Sequence, residues 1–376
     1  MRWSFSIRFG VQCCFLAMMF NSVGAEDLLV LFGTHTAGPG RGFAIAHFDT
    51  KNGVLTRPEL LLEASEPAYF ILTRGEQRLY TCNSPGFMSA YAVEPSTGRL
   101  TFLNQEPTAG GDPSYISLDK TEKYVSVANY QGGSIATWAL KPDGSLGRRT
   151  AFIQHTEHGI DHIRQTHAYA HSIIVDPSNR FVLVADLGLD KLFVYKFDVT
   201  NGSLTPNPAY ISVAPGSGAR HVTFHPNRHW VYLVTEMGNT VHLFDWDGKR
   251  GILTERQSIS TLPKDFHGVS TSAEVKVSPD GRFLYTSNRG HDSIAVFSLD
   301  PKSGRLTPVQ DIPSGGKWPR NFEFDPGGHW MIVTNHNSNN AAVFRIDRET
   351  GKLTAVGKPV EVPFPPFSPR FVEPLP

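Results

Sequence analysis

A chain of 376 residues with 35 Lys+Arg against 35 Asp+Glu carries no net charge, so no overall field draws it to nucleic acid or to an anionic membrane surface. Hydrophobic residues make up 40% of it, enough for a large packed core, which argues against a disordered chain. Its 34 Gly and 27 Pro favour many turns over long helices.

Residues 1–25 read as a signal peptide, with Arg2 and Arg8 ahead of the apolar stretch Val11 to Phe20 and the small residues Val23-Gly24-Ala25 as a cleavage site. The mature domain, 26–376, is then exported to the periplasm or secreted, and no other segment is long and apolar enough to span a bilayer. Cys13 and Cys14 fall in the signal, which leaves Cys82 alone in the apolar run Leu79 to Cys82, a core thiol without a disulfide partner.

From Phe48 onward one phrase recurs seven times: FDTKNGVL, VEPSTGRL, LKPDGSL, FDVTNGSL, FDWDGKRGIL, LDPKSGRL and IDRETGKL. The closing leucines, Leu55, Leu100, Leu146, Leu204, Leu253, Leu306 and Leu353, are spaced by 45, 46, 58, 49, 53 and 47 residues, the size of a four-stranded blade. Between phrases lie short β-rich runs divided by turn residues, as in Ser172 to Val175, Asp176-Pro177-Ser178-Asn179, Phe181 to Ala185 and Leu192 to Phe197. The expected fold is all-β, a seven-bladed β-propeller. Its first unit begins at Leu28 to Phe32, which matches the second strand of other units. The C-terminal run Ser368 to Val372, similar to Trp318 to Phe322, is expected to supply the missing strand and close the ring.

Superposed by their second and third strands, the repeats put Tyr130, Leu187, Glu236, Arg289 and His336 just past the end of the second strand, preceded by Asn129, Asp186, Thr235, Asn288 and Asn335. Ser114, His171, Arg220, Ala273 and Arg320 fall at the start of the first strand, followed by Tyr115, Ser172, His221, Glu274 and Asn321. First and second strands run antiparallel, so both sets gather at one mouth of the central channel. Structural repetition alone favours similar residues at equivalent places, so this mixture of ionisable groups points to a ligand site.

The runs HSIIVDPSNRFVLVADLGLDKLFVYKFD, GARHVTFHPNRHWVYLVTEMGNTVHLFDWD and SAEVKVSPDGRFLYTSNRGHDSIAVFSLD, with Asn129 to Ser134 and Pro319 to Phe322, resemble the lactonase family of seven-bladed propellers. That family includes propeller 6-phosphogluconolactonases and fungal carboxy-muconate cycloisomerases. The resemblance runs from about Leu28 to Leu353 and implies catalytic roles for His171, Arg220, Glu236 and Arg289, with His221, Asn288, Arg320, His336 and Tyr130 as substrate-binding neighbours. It departs at Tyr169, where many relatives carry a histidine.

The expected activity is hydrolysis of a sugar-type lactone by activated water. Glu236 or His171 would act as general base, and the arginines would hold an oxyanion, carboxylate or phosphate. A muconate-type cycloisomerase and a non-catalytic exported propeller that binds a partner or a sugar are the alternatives. No cofactor is expected, and the sequence says nothing of oligomeric state. His155, His158, His162, His167 and His171 crowd the longest interval and would suit a metal only if the segment were helical; a loop covering the substrate is the expectation there. No Gly-x-Ser-x-Gly, His-Glu-x-x-His or phosphate-loop pattern occurs.

Overall fold

Each repeat folds as one twisted antiparallel sheet, and seven such sheets stand in a ring in the computed structural model, which describes residues 27–36, 38 and 40–372. The expected signal peptide, 1–25, lies outside the described residues. The innermost strands of blades 2 to 7 are Pro67–Leu72, Pro113–Leu118, Ala170–Val175, Ala219–Phe224, Thr271–Val277 and Pro319–Phe324. Each touches the next around the channel. In blade 1 that place is taken by the C-terminal strand Pro366–Val372, which pairs antiparallel with Asp27–Thr34 in the register Leu29 to Val372 and Leu31 to Arg370. The ring therefore closes as its repeats require.

Second strands such as Phe181–Asp186 and Trp230–Thr235 are buried along their whole length, because each lies inside its sheet with a neighbouring blade on both faces. That is why they read as unbroken apolar runs, whereas outer strands such as Leu146–Gln154 show mainly exposed or half-buried residues. The outer strand of blade 1 is split into Val54–Leu55 and Glu59–Glu63 around Pro58, which has no N–H to donate to the ladder. The core lies between blades. Phe48 meets Trp330 and Phe371 at ring-centroid distances of 6.0 and 5.5 Å, and burying a side chain of this size contributes about 1.5–3 kcal/mol.

The repeated phrase fastens blade to blade. Its acidic residue caps the turn, as where Asp300 Oδ1 accepts the Lys302 and Ser303 N–H groups. Its glycine has positive φ, 68° at Gly304, and sits where a Cβ would lie 2.4 Å from the Trp230 indole of the preceding blade. The Tyr232 hydroxyl then donates to the Gly304 carbonyl at 2.8 Å, and Tyr285 does the same to Gly351 one blade on. Cys82 is buried in a second strand, and burial raises its thiol pKa well above the ordinary range, as suits a core thiol. No helix among the described residues is long and apolar enough to cross a membrane.

Candidate active site

Because inner strands begin where second strands end, the two sets of strand-end residues meet around a cavity of about 190 Å³ at one mouth of the channel. Its floor is an arginine cluster built on one carboxylate. Glu236, anchored by its N–H to the Gly218 carbonyl at 2.7 Å, is only 4% exposed. One of its oxygens, Oε2, accepts from Arg220 Nε at 2.8 Å and pairs with Arg289 Nη2 at 2.9 Å, while Oε1 pairs with Arg164 Nη2. Burial opposes ionisation of this carboxyl, but Arg289, Arg220, His171 and Arg164 outweigh it and hold Glu236 well below the usual carboxylate range. Arg220 is itself fully buried and donates to the Ala273 carbonyl, so it braces blades 5 and 6 from beneath the cavity.

His171 lines the cavity, with its ring edge-on to Tyr130 at 5.3 Å and to His221 at 5.1 Å. Its Nδ1 is buried without a hydrogen-bond partner. Burial first, then the positive field of Arg220, pushes its pKa well below that of an ordinary histidine, so the ring is neutral at neutral pH. Arg320 forms no ion pair among the described residues; its guanidinium lies 4.1 Å from the Phe367 ring centroid with Nε buried and unpartnered. Burial and the nearby Arg289 and Arg220 disfavour its charge, which an incoming anion would relieve. Tyr130 forms part of the wall.

Other expected residues are placed elsewhere. Asn288 does not reach the cavity: its amide is spent between blades 5 and 6, donating to the carbonyl of Thr261, just past the Ile252–Ser260 strand, at 2.9 Å and accepting from Ser272 Oγ at 2.9 Å. His221 lies one layer deeper, where Nδ1 meets Glu274 Oε1 at 3.0 Å and the ring packs on Tyr115 at 5.0 Å. His336 opens a short 3-10 turn, His336–Ser338, and bonds Asn337 at 2.9 Å; Arg320 and His35 lie near enough to lower its pKa after burial has done so. Leu187 is buried and apolar. Tyr169, the departure from the family pattern, packs behind Tyr130 at 4.8 Å and bonds Thr166 Oγ1, so it does not line the cavity.

The long interval before blade 4 forms no helix. Its histidines serve separate local contacts: His155 bonds Asp186 at 2.6 Å and Tyr195 at 2.8 Å, and His167 bonds the Gln131 carbonyl at 2.8 Å. The segment instead delivers Arg164, a residue the repeat comparison passes over because it lies in the extra length of this unit. Asp161 Oδ1 accepts the Ile163 and Arg164 N–H groups, and Gln165 donates to Leu187 O and Asp190 Oδ1, so the loop presents Arg164 to Glu236 from a braced turn. Arg164 is the one arginine among residues 155–171, the signal by which it could have been found. His35 and Asp112 also line the cavity; His35 follows the Asp27–Thr34 strand of blade 1, a unit outside the five superposed repeats, and Asp112 lies two residues ahead of Ser114, just before the superposed strand start of blade 3.

Residues 29–367 match the family model described as lactonase, 7-bladed beta-propeller. A 6-phosphogluconolactonase of Bacillus subtilis is 36% identical over 296 residues, covering 78% of this chain and 84% of that protein. One from Formosa agariphila is 32% identical over 301 residues, covering 76% and 83%. Among solved structures, the periplasmic gluconolactonase of Pseudomonas aeruginosa superposes with a TM-score of 0.86 at 31% identity, over 92% of this chain and 99% of that one. A family match spanning nearly all described residues, on a ring whose mouth gathers His171, Arg220, Glu236 and Arg289, means that this chain belongs to the lactonase family of seven-bladed β-propellers.

Proposed function

We propose that this protein hydrolyses the ring ester of a sugar-type lactone, as the names of its relatives suggest, with His171 as the general base. The observation that carries the reading is the pairing, in one cavity, of a neutral imidazole with an unpartnered Nδ1 and an arginine, Arg320, that has no carboxylate of its own among the described residues. Glu236 is a poor base because three guanidinium groups hold it ionised; its role is to fix those groups in place.

In the proposed reaction Arg320 and Arg289 polarise the ring carbonyl. His171 takes a proton from water as the water oxygen bonds to that carbon, giving a tetrahedral oxyanion. The ring C–O bond then breaks, and the imidazolium returns its proton to the departing alkoxide, leaving an open-chain hydroxy acid. The field that weakens His171 as a base in the empty site is offset by the oxyanion, so its basicity rises as the intermediate forms.

The reading predicts that His171→Asn lowers kcat by about 10²–10⁴-fold with the fold intact by circular dichroism. Removing the ring should also abolish an acid limb in kcat/KM that lies below the pKa of an ordinary histidine. Full turnover in His171→Asn would exclude this mechanism. No turnover by the parent protein on gluconolactone, 6-phosphogluconolactone or an aromatic lactone would favour a binding propeller.

The proposed setting is outside the cytoplasm, with a mature chain starting near Glu26, on the strength of the N-terminal charge and hydropathy pattern. N-terminal sequencing of the exported fraction tests it.

A further inference from the structure

The mouth cavity continues outward into a second one of about 560 Å³, and the two share His35 and Asp112 as a common wall. The inner chamber is smaller than the roughly 300–1,000 Å³ of small-molecule sites, so a ligand spanning both is the better fit. Their chemistries are opposite. The inner chamber holds Arg164, Arg289 and Arg320 with Glu236, whereas the outer groove is walled by Ser65, Glu66, Ser84, Asp112 and Gln131 and by no Lys or Arg among the described residues.

The two acidic residues are held by the fold. Each precedes the proline that opens an inner strand, and each takes a left-handed conformation, φ 42° at Glu66 and 43° at Asp112, which is costly for a residue with a Cβ. Trp318, in the same place before Pro319, has φ 65° and lies over the Arg289 guanidinium at 5.3 Å, so this backbone turn brings a chosen side chain to the mouth. Asp112 is further fixed: its N–H donates to Pro85 O at 2.6 Å, its carbonyl accepts from Tyr130 N–H at 3.0 Å, and its carboxylate accepts from Ser84 Oγ. Glu66 Oε2 stands 3.8 Å from His35 Nδ1.

We infer that the substrate is an uncharged polyhydroxy lactone, bound with its carbonyl among the arginines and its hydroxylated tail in the acidic groove, and that Glu66 and Asp112 select against a tail carrying phosphate. Hydroxyl groups can donate to both carboxylates, whereas phosphate oxygens can only accept and bring like charge against them. A phosphorylated lactone has its best electrostatic partner in the arginine chamber, so it enters reversed, with its carbonyl away from His171, and blocks the site. The inference rests on the lactonase reading above and names the substrate class for the same site.

The test is initial-rate hydrolysis of gluconolactone and 6-phosphogluconolactone by the full mature protein, at two ionic strengths, beside the double variant Glu66→Gln, Asp112→Asn. Expected is a kcat/KM at least about tenfold higher on the uncharged lactone, shrinking with added salt, and competitive inhibition by 6-phosphogluconate. The double variant should lower the preference several-fold through a smaller KM for the phosphorylated substrate. Preference for the phosphorylated lactone, or a preference the double variant leaves unchanged, overturns the charge sorting alone. Turnover of neither substrate removes the lactonase reading and this inference with it.

Discussion

Three guanidinium groups share the Glu236 carboxylate, and two of them, on Arg220 and Arg289, are almost wholly buried. Removing the negative charge leaves those cations without a counterion in a low-dielectric site, so Glu236→Gln is expected to cost about 3–5 kcal/mol in urea unfolding as well as activity. The deeper pair makes a pH-dependent contribution of defined sign. Burial pushes His221 down to about 4 despite the raising influence of Glu274, so the folded state holds it neutral. That contribution to stability is complete above the pKa of an unfolded histidine and is lost as pH falls toward about 4. Replacing His221 by Asn should flatten this part of a stability-against-pH curve, measured by denaturant titration. Glu274, opposed by burial but stabilised as carboxylate by His221, sits at about 2, so its contribution is complete at neutral pH and is lost only as pH falls below the ordinary carboxylate range toward about 2.

At the scale of the element, the repeated turn and the blade-4 entry loop behave differently. The turn is a structural fastener, and its glycine has two reasons to be glycine. Gly304→Ala carries the left-handed backbone cost of about 1–2 kcal/mol and a further 1–3 kcal/mol or so for overlap with Trp230. Gly357 has φ 66° and open space around its Cβ position, so Gly357→Ala bears only the backbone part; paired thermal melts should separate the two. This turn was legible in the sequence because all seven copies meet the same local demand. The entry loop was not, because Arg164 reaches Glu236 across 72 positions of sequence, through a turn that no other unit repeats. Repeat comparison finds what recurs, and Arg164 does not.

At the scale of the molecule, ring closure joins the two ends of the described chain. Phe367, Phe371 and Val372 are buried, Phe371 against Phe48, and Arg370 reaches Glu323 of blade 7 at 2.8 Å. A chain ending at Pro365 would leave the Asp27–Thr34 strand as an open edge and uncover these contacts. It is expected to lose its single cooperative melt and to self-associate, as seen by calorimetry and size-exclusion chromatography.

The number of blades, their order, the closing strand and the mouth where His171, Glu236, Arg289 and Arg320 meet were all readable from the amino-acid order, since periodicity and strand alternation are local properties repeated seven times. What tertiary structure alone decided is which strand-end side chains turn into the cavity. Asn288 turns inward to the Thr261 carbonyl at the end of blade 5, His221 drops a layer to meet Glu274, and Arg164, His35 and Asp112 arrive from elsewhere. The reason is physical: a repeat sets where a Cα lies on the ring, but burial and the nearest available partner decide where a polar side chain points, and those partners lie on neighbouring blades.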